Sequence, residues 1–193
     1  MVTLLPNREC GTCTVCCKVP TIDDPALRKL PGVLCKNCTP EHRCGIYETR
    51  PSDCRDFYCV WRMIPLGDEW RPDRSEILIV MMDGTAPDGL EGGVRFDLFG
   101  ARGKIFWPPL VNYMAQLIQE NTPVYLSVPG EPGHVAGQVY LNNDKPLRRA
   151  IALRDFSLAT TILSNMVQAC IRFPKEKVEF KSEAPDSTAT ANR

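Results

Sequence analysis

Cys10-Gly11-Thr12-Cys13-Thr14-Val15-Cys16-Cys17 is the stretch on which the reading of this chain turns. A two-residue gap lets both sulfurs of one tight turn reach a single ion, while the intervening backbone N–H groups point at the sulfurs. Gly11, just after the first cysteine, suits the geometry of such a turn. Further along come Cys35-Lys36-Asn37-Cys38, then Cys44, Cys54 and Cys59. Nine of the ten cysteines therefore lie between Cys10 and Cys59, and only Cys170 falls outside. Two such gaps in series with a third downstream are a strong signal for metal ligation.

Adjacent Cys16 and Cys17 sharpen that expectation. Neighbouring side chains diverge, so consecutive thiolates more naturally serve two ions, or one bridges while the other binds terminally. Nine thiolates also exceed the four that one tetrahedral zinc or one cubane cluster takes. By count they match three zinc ions sharing nine sulfurs, and they match two four-ligand sites with one sulfur spare. More than one metal centre, or one polynuclear cluster, is expected. Disulfides are the competing use of so many cysteines. The start, Met1-Val2-Thr3-Leu4-Leu5-Pro6-Asn7, has neither a basic n-region nor a long apolar h-region. A cytoplasmic chain is expected, and the reducing cytosol disfavours disulfides.

Composition narrows the function classes. Of 193 residues, 44% are hydrophobic and 24% charged, both ordinary for a globular protein. Lys plus Arg equals Asp plus Glu at 23 each, which disfavours a dedicated nucleic-acid binder. No apolar run approaches the ~18 residues a membrane span needs. Up to Val60 the chain holds eight basic and seven acidic residues, so a zinc-ribbon module docked on nucleic acid ranks last.

Composition also divides the chain near Trp61. Residues 1–60 form the cysteine-rich part, with few large apolar residues, and such a piece is marginal alone. A structural zinc contributes on the order of 10–16 kcal/mol in finger peptides, against roughly 2–4 kcal/mol for one disulfide. Within this part Asp24-Pro25-Ala26-Leu27-Arg28-Lys29-Leu30 predicts a short helix, with Asp24 as cap and Pro25 at the first helical position. Arg50 and Arg55 flank Cys54 and are candidate hydrogen-bond donors to sulfur.

Residues 61–174 read as an α+β domain. Ile77-Leu78-Ile79-Val80-Met81-Met82 predicts a buried strand closed by Asp83-Gly84, with both methionines packing. Val94, Phe96 and Leu98 alternate as in a strand, as do Val124, Leu126 and Val128, and then Val135, Val139 and Leu141. Pro108-Pro109 opens a helix with Leu110, Val111, Met114, Leu117 and Ile118 on one face. A final helix follows Asp155, with Leu158, Ile162, Met166 and Cys170 facing inward, so Cys170 counts as core. Residues 175–193 are expected as a polar tail, disordered from Ser182 to Arg193. The fold class expected is α+β, a small irregular metal-stabilised cysteine-rich part packed on a mixed strand and helix domain.

The run Cys10 to Cys17, followed by Cys44-Gly45-Ile46-Tyr47-Glu48-Thr49-Arg50-Pro51-Ser52-Asp53-Cys54-Arg55-Asp56-Phe57, resembles the YkgJ-type cysteine-cluster proteins, a zinc- or iron-chelating domain with a CxxCxxCC signature. The likeness covers residues 10 to 60. It implies metal ligation by Cys10, Cys13, Cys16, Cys17, Cys44 and Cys54, with Cys35 matching the family's cysteine upstream of the Cys-x-Ile-Tyr stretch. Cys38 and Cys59 stand outside the family pattern and complete the candidate ligand set on spacing alone. His42 is either a tenth ligand or a solvent-facing histidine, and the surplus of thiols favours the second. His134 reads as a loop residue, and Asp83, Asp88 and Glu91 as turn residues.

The expected function is metal binding, with zinc ahead of an iron–sulfur cluster and the metal mainly structural or sequestering. The iron–sulfur run C-x2-C-x2-C-x3-C-P matches at its first three cysteines only, because Cys17 is adjacent to Cys16 and Pro20 follows Val19. The alternative is an iron–sulfur-dependent redox or methyl-transfer enzyme. No phosphate-binding glycine loop, nucleophile elbow or His-Glu-x-x-His motif accompanies the cysteines.

Overall fold

The structure is a computed structural model that describes residues 3–100 and 102–180. The expected disordered segment Ser182–Arg193 lies outside the described residues. The α+β class holds, with a two-stranded sheet, a four-stranded mixed sheet and six helices among the described residues.

The cysteine-rich part is built from short pieces: helix α1 (Val15–Lys18), strands β1 (Ile22–Asp24) and β2 (Leu27–Lys29), and helix α2 (Ser52–Arg55). A hairpin therefore stands where the sequence predicts a helix from Asp24. The register Asp24↔Leu27 leaves Pro25-Ala26 as a two-residue turn. The Asp24 carboxylate accepts from the Ala26 amide at 2.8 Å, so the residue expected to cap a helix closes a turn instead. Burying Ile22 and Leu27 against Cys35 decides between the two.

The remainder holds helix α3 (Pro72–Ser75), strands β3 (Ile77–Thr85) and β4 (Glu91–Leu98), helix α4 (Pro108–Gln119), strands β5 (Val124–Val128) and β6 (Gly137–Tyr140), and helices α5 (Lys145–Ala152) and α6 (Phe156–Arg172). The sheet order is β3-β4-β5-β6, parallel only between β4 and β5, the pair that α4 connects. Ile79, Phe96 and Leu126 lie in one core with the inner faces of α4, α5 and α6. The opposite face carries Leu78 and Val80, which pack on Val15 of α1 and on Cys13, Val19 and Cys59. With both faces covered, β3 opens as the continuous apolar run Ile77-Leu78-Ile79-Val80.

Details depart from the sequence reading. Met81 is 53% exposed rather than packed, and β3 continues to Thr85 through an irregularity after Met82. Val135 lies outside β6 and is exposed. In α6 the buried residues are Ala159, Leu163, Val167 and Cys170, while Leu158 is 47% exposed and Ile162 and Met166 pack only partly. Helix α5 was not expected from sequence, although Asp144 caps it by accepting from the Leu147 amide at 2.7 Å. Gly137 must remain a glycine, because a Cβ there would stand 2.2 Å from the Cys170 carbonyl oxygen. Residues 176 and 178, expected in the polar tail, pair with the 133–135 loop through Val135 N–H to Glu176 O and Val178 N–H to Gly133 O. His134, expected in a loop, is there, bridged to Lys177.

Buried Asn142 ties β5 to the turn before it, accepting from the Val124 amide and donating to the Thr122 carbonyl, both at 2.8 Å. Asn142→Ala leaves both groups without partners. The expected loss is roughly 1–3 kcal/mol in chemical denaturation with an unchanged circular dichroism spectrum. A variant as stable as the parent would remove this tie from the account of the sheet.

Candidate metal centre

All ten cysteines are free thiols. The nine between Cys10 and Cys59 fall into two sets, each placed by its own backbone contacts.

The first set is Cys10, Cys13 and Cys59. The Cys13 amide donates to the Cys10 carbonyl at 2.9 Å, and Gly11 takes φ +54 to close that turn, as its position promised. The chain is led into the turn by Arg8, whose guanidinium donates to the carbonyls of Trp61, Ile64 and Leu66 and lies over the Trp61 ring. Cys59 comes from the far end of the cysteine-rich part, and with Cys13 it packs on the cluster of Val15, Leu78 and Val80. Arg62 donates from Nη1 to the Cys10 sulfur at 3.5 Å.

The second set is Cys16, Cys17, Cys35, Cys38, Cys44 and Cys54, of which Cys16, Cys17, Cys35 and Cys54 lie near Lys29. The Cys35 amide donates to the Cys17 carbonyl at 2.9 Å, which lays the second cysteine pair against the first motif. Cys38 and Cys44 face one another as a bridge across the turn that contains His42. Cys54 rides on α2, which is tied to the hairpin by Ser52 Oγ donating to Asp24 at 3.2 Å. Cys17 and Cys54 pack with Cys35 on Ile22 and Leu27.

Lys29 is the residue the sequence reading missed. It is 4% exposed, and its ammonium donates to the carbonyls of Lys18 at 3.0 Å, Leu30 at 3.1 Å and Val33 at 3.2 Å, and to that of Pro20. Burial lowers its pKa, and the field of Cys35, Cys17, Cys54 and Cys16 works against that fall. The period of a strand held the clue: Lys29 is two residues from Leu27 and so points to the same buried side. Arg62 was missed as well. Of the two arginines expected near sulfur, Arg50 stacks over Tyr47 at 3.8 Å and Arg55 pairs with Asp56 at 3.4 Å, so neither makes that contact.

Burial pushes the thiols of Cys13, Cys38 and Cys54 upward. Cys17 is raised chiefly by its hydrogen bond with Cys16, then by burial. Cys59 is pushed up to about 11 by burial. Without a cation these groups stay protonated, and a coordinated metal ion reverses that by deprotonating a thiol outright.

A cavity of about 650 Å³ opens onto both sets; seven of the nine cysteines line it, all but Cys38 and Cys59. His42 stands exposed at its edge. Among the described residues, no group of three or more Cys, His, Asp or Glu side chains is arranged to hold a metal ion. Cys170 is buried in the core behind the sheet, apart from the other nine. Among the described residues, no helix is long and apolar enough to cross a membrane. The chain finds no match among protein-family models, curated proteins or solved structures.

Because burial raises Cys59, its alkylation by iodoacetamide in metal-free protein should keep accelerating from pH 9 toward 11. Peptide mass spectrometry reads the rate. A profile that levels off near 9 would mean that burial leaves this thiol unshifted.

Proposed function

We propose that the cysteine-rich segment binds more than one metal ion, zinc in the first place, and that the metal is structural or sequestering. The observation that carries this reading is the opening of seven unpaired cysteines onto one cavity, in a segment with almost no apolar interior. Between Cys10 and Cys59 the buried apolar side chains are Val15, Ile22, Leu27 and Cys35. Four thiolates are enough to enclose a zinc ion completely, and a fully thiolate-ligated zinc has no open position for water. The likeness to the YkgJ-type signature points the same way, toward chelation by Cys10, Cys13, Cys16, Cys17, Cys35, Cys44 and Cys54. Cys38 and Cys59 join the set on their position in the two sulfur groups.

The cavity supports a second reading, an iron–sulfur cluster serving redox or methyl-transfer chemistry. Its lining of seven cysteines leaves room for a polynuclear centre.

Anaerobic purification followed by elemental analysis and an absorption spectrum separates the two. Zinc in a colourless protein is expected; brown colour with acid-labile sulfide would favour iron. Cys17→Ser and Cys54→Ser should each lower bound metal, while Cys170→Ser should leave it unchanged. Undiminished metal in both of the first two variants would overturn the assignment of these sulfurs.

A further inference from the structure

We infer that a second cavity, between the four-stranded sheet and the loops on either side of the β1-β2 hairpin, is a binding site for a small neutral polyol. No cysteine lines it, so it stands whether or not the metal-binding reading does.

The register of the sheet sets Asp97 beside Ser127 and Ser127 beside Gln138, so one polar row crosses β4, β5 and β6. Leu126 and Val128, on either side of Ser127 in sequence, belong to the main core. Strand alternation therefore aims Ser127 away from that core, into a cavity of about 250 Å³ that it lines with Asp97, Arg95 and Gln138. Ser127 is fully buried, and its hydroxyl has no hydrogen-bond partner among the described residues. A buried hydroxyl is costly to leave unmet. Pro20 and Pro31 of the cysteine-rich part line the same cavity, as do Pro129, His134 and Val178. Both of the first two are anchored: the Pro20 carbonyl accepts from the Lys29 ammonium, and the Pro31 carbonyl accepts from the Gly133 amide at 2.8 Å.

The lining selects the occupant. Asp97 is 4% exposed, and Arg95 engages both of its oxygens, with Nε 2.9 Å from Oδ1 and Nη2 donating to Oδ2 at 3.1 Å. The pair is neutral as a unit, and a charged ligand would meet like charge from one of its members. Glu131 and His134 are the other titratable groups lining the cavity, and Glu131 is solvent-exposed. Asp97 offers only lone pairs, whereas Ser127 and Gln138 each donate and accept. A hydroxyl meets both kinds of partner, and neighbouring strands present them about 4.8 Å apart, a row that a chain of hydroxyl-bearing carbons can follow. The proline rings give its C–H side an apolar surface. The volume equals that of roughly eight waters, too little for a drug-sized ligand and enough for a polyol or a pentose.

Titration of the ¹⁵N-labelled full-length protein with erythritol and with D-ribose, followed by ¹H–¹⁵N NMR, provides the test. Saturable shifts are expected at the amides of Ser127, Gln138 and Gly32, all of which line the cavity. Ser127→Ala should weaken binding about tenfold. It should also resist urea at least as well as the parent, because the hydroxyl it removes has no partner to lose. D-Glycerate and ethanolamine, an anion and a cation, should bind more weakly than either polyol. The absence of a saturable shift with both polyols would overturn the inference, as would unchanged affinity in Ser127→Ala. A less stable Ser127→Ala would mean that the hydroxyl is already satisfied in the free protein, which overturns it too. Tighter binding of glycerate or ethanolamine would overturn the choice of a neutral ligand.

Discussion

The ammonium of Lys29 is where the cysteine-rich segment closes on itself. Taking a charge out of water costs several kcal/mol, and the chain offsets that cost by turning four backbone carbonyls onto one atom. Those carbonyls belong to Lys18 and Pro20 on one side of the hairpin and to Leu30 and Val33 on the other. One side chain therefore fixes the end of α1, the entry to β1 and the exit from β2 relative to each other. Cys16 and Cys17 hang from the first of these pieces and Cys35 follows the last. Their mutual approach is a consequence of where Lys29 sits.

The segment then borrows an interior. Its own buried apolar residues are too few to hold fifty residues in place, and α1 meets the rest of the molecule through Val15 on Leu78 and Val80. That face of the sheet changes character along its strands. In register, Leu78 lies beside Asp97 and Asp97 beside Ser127, so the apolar strip ends where β4 begins to carry charge. Arg95 and Asp97 answer each other there, Nη2 donating to Oδ2 at 3.1 Å. The cysteine-rich part is thus directed to the β3 edge, and this places Cys13 and Cys59 at the seam.

Much of the larger domain was legible because its strands lie between two covered layers. Runs such as Ile77 to Val80 and alternations such as Val94, Phe96 and Leu98 record that burial in the sequence itself. Helix α6 was read one residue out of phase for a geometric reason. Strict four-residue spacing rotates about 40° per step on a helix of 3.6 residues per turn, so a line drawn through Leu158, Ile162, Met166 and Cys170 winds off the buried face. The hairpin was illegible in a different way. Asp24-Pro25 satisfies the rules for opening a helix and those for a tight turn equally well, and the choice depends on Cys35, which lies far along the chain. The cysteine spacing predicted ligation as a property of residues 10 to 59. It could not divide the sulfurs into six and three, because that division depends on the sheet to which Cys59 is anchored.

The two cations missed in the sequence suggest why the division takes this form. Lys29 is a compact point charge, saturated by carbonyls and turned toward the sulfurs only through its field; it can lower the cost of accumulating negative charge without occupying a ligand position. Arg62 is a planar fork that touches sulfur with one arm and keeps another donor free. On the metal-binding reading, the first arrangement suits an enclosed centre whose charge must be balanced from outside. Sulfur alone would make the two sets chemically alike, and it is the cation beside each that distinguishes them.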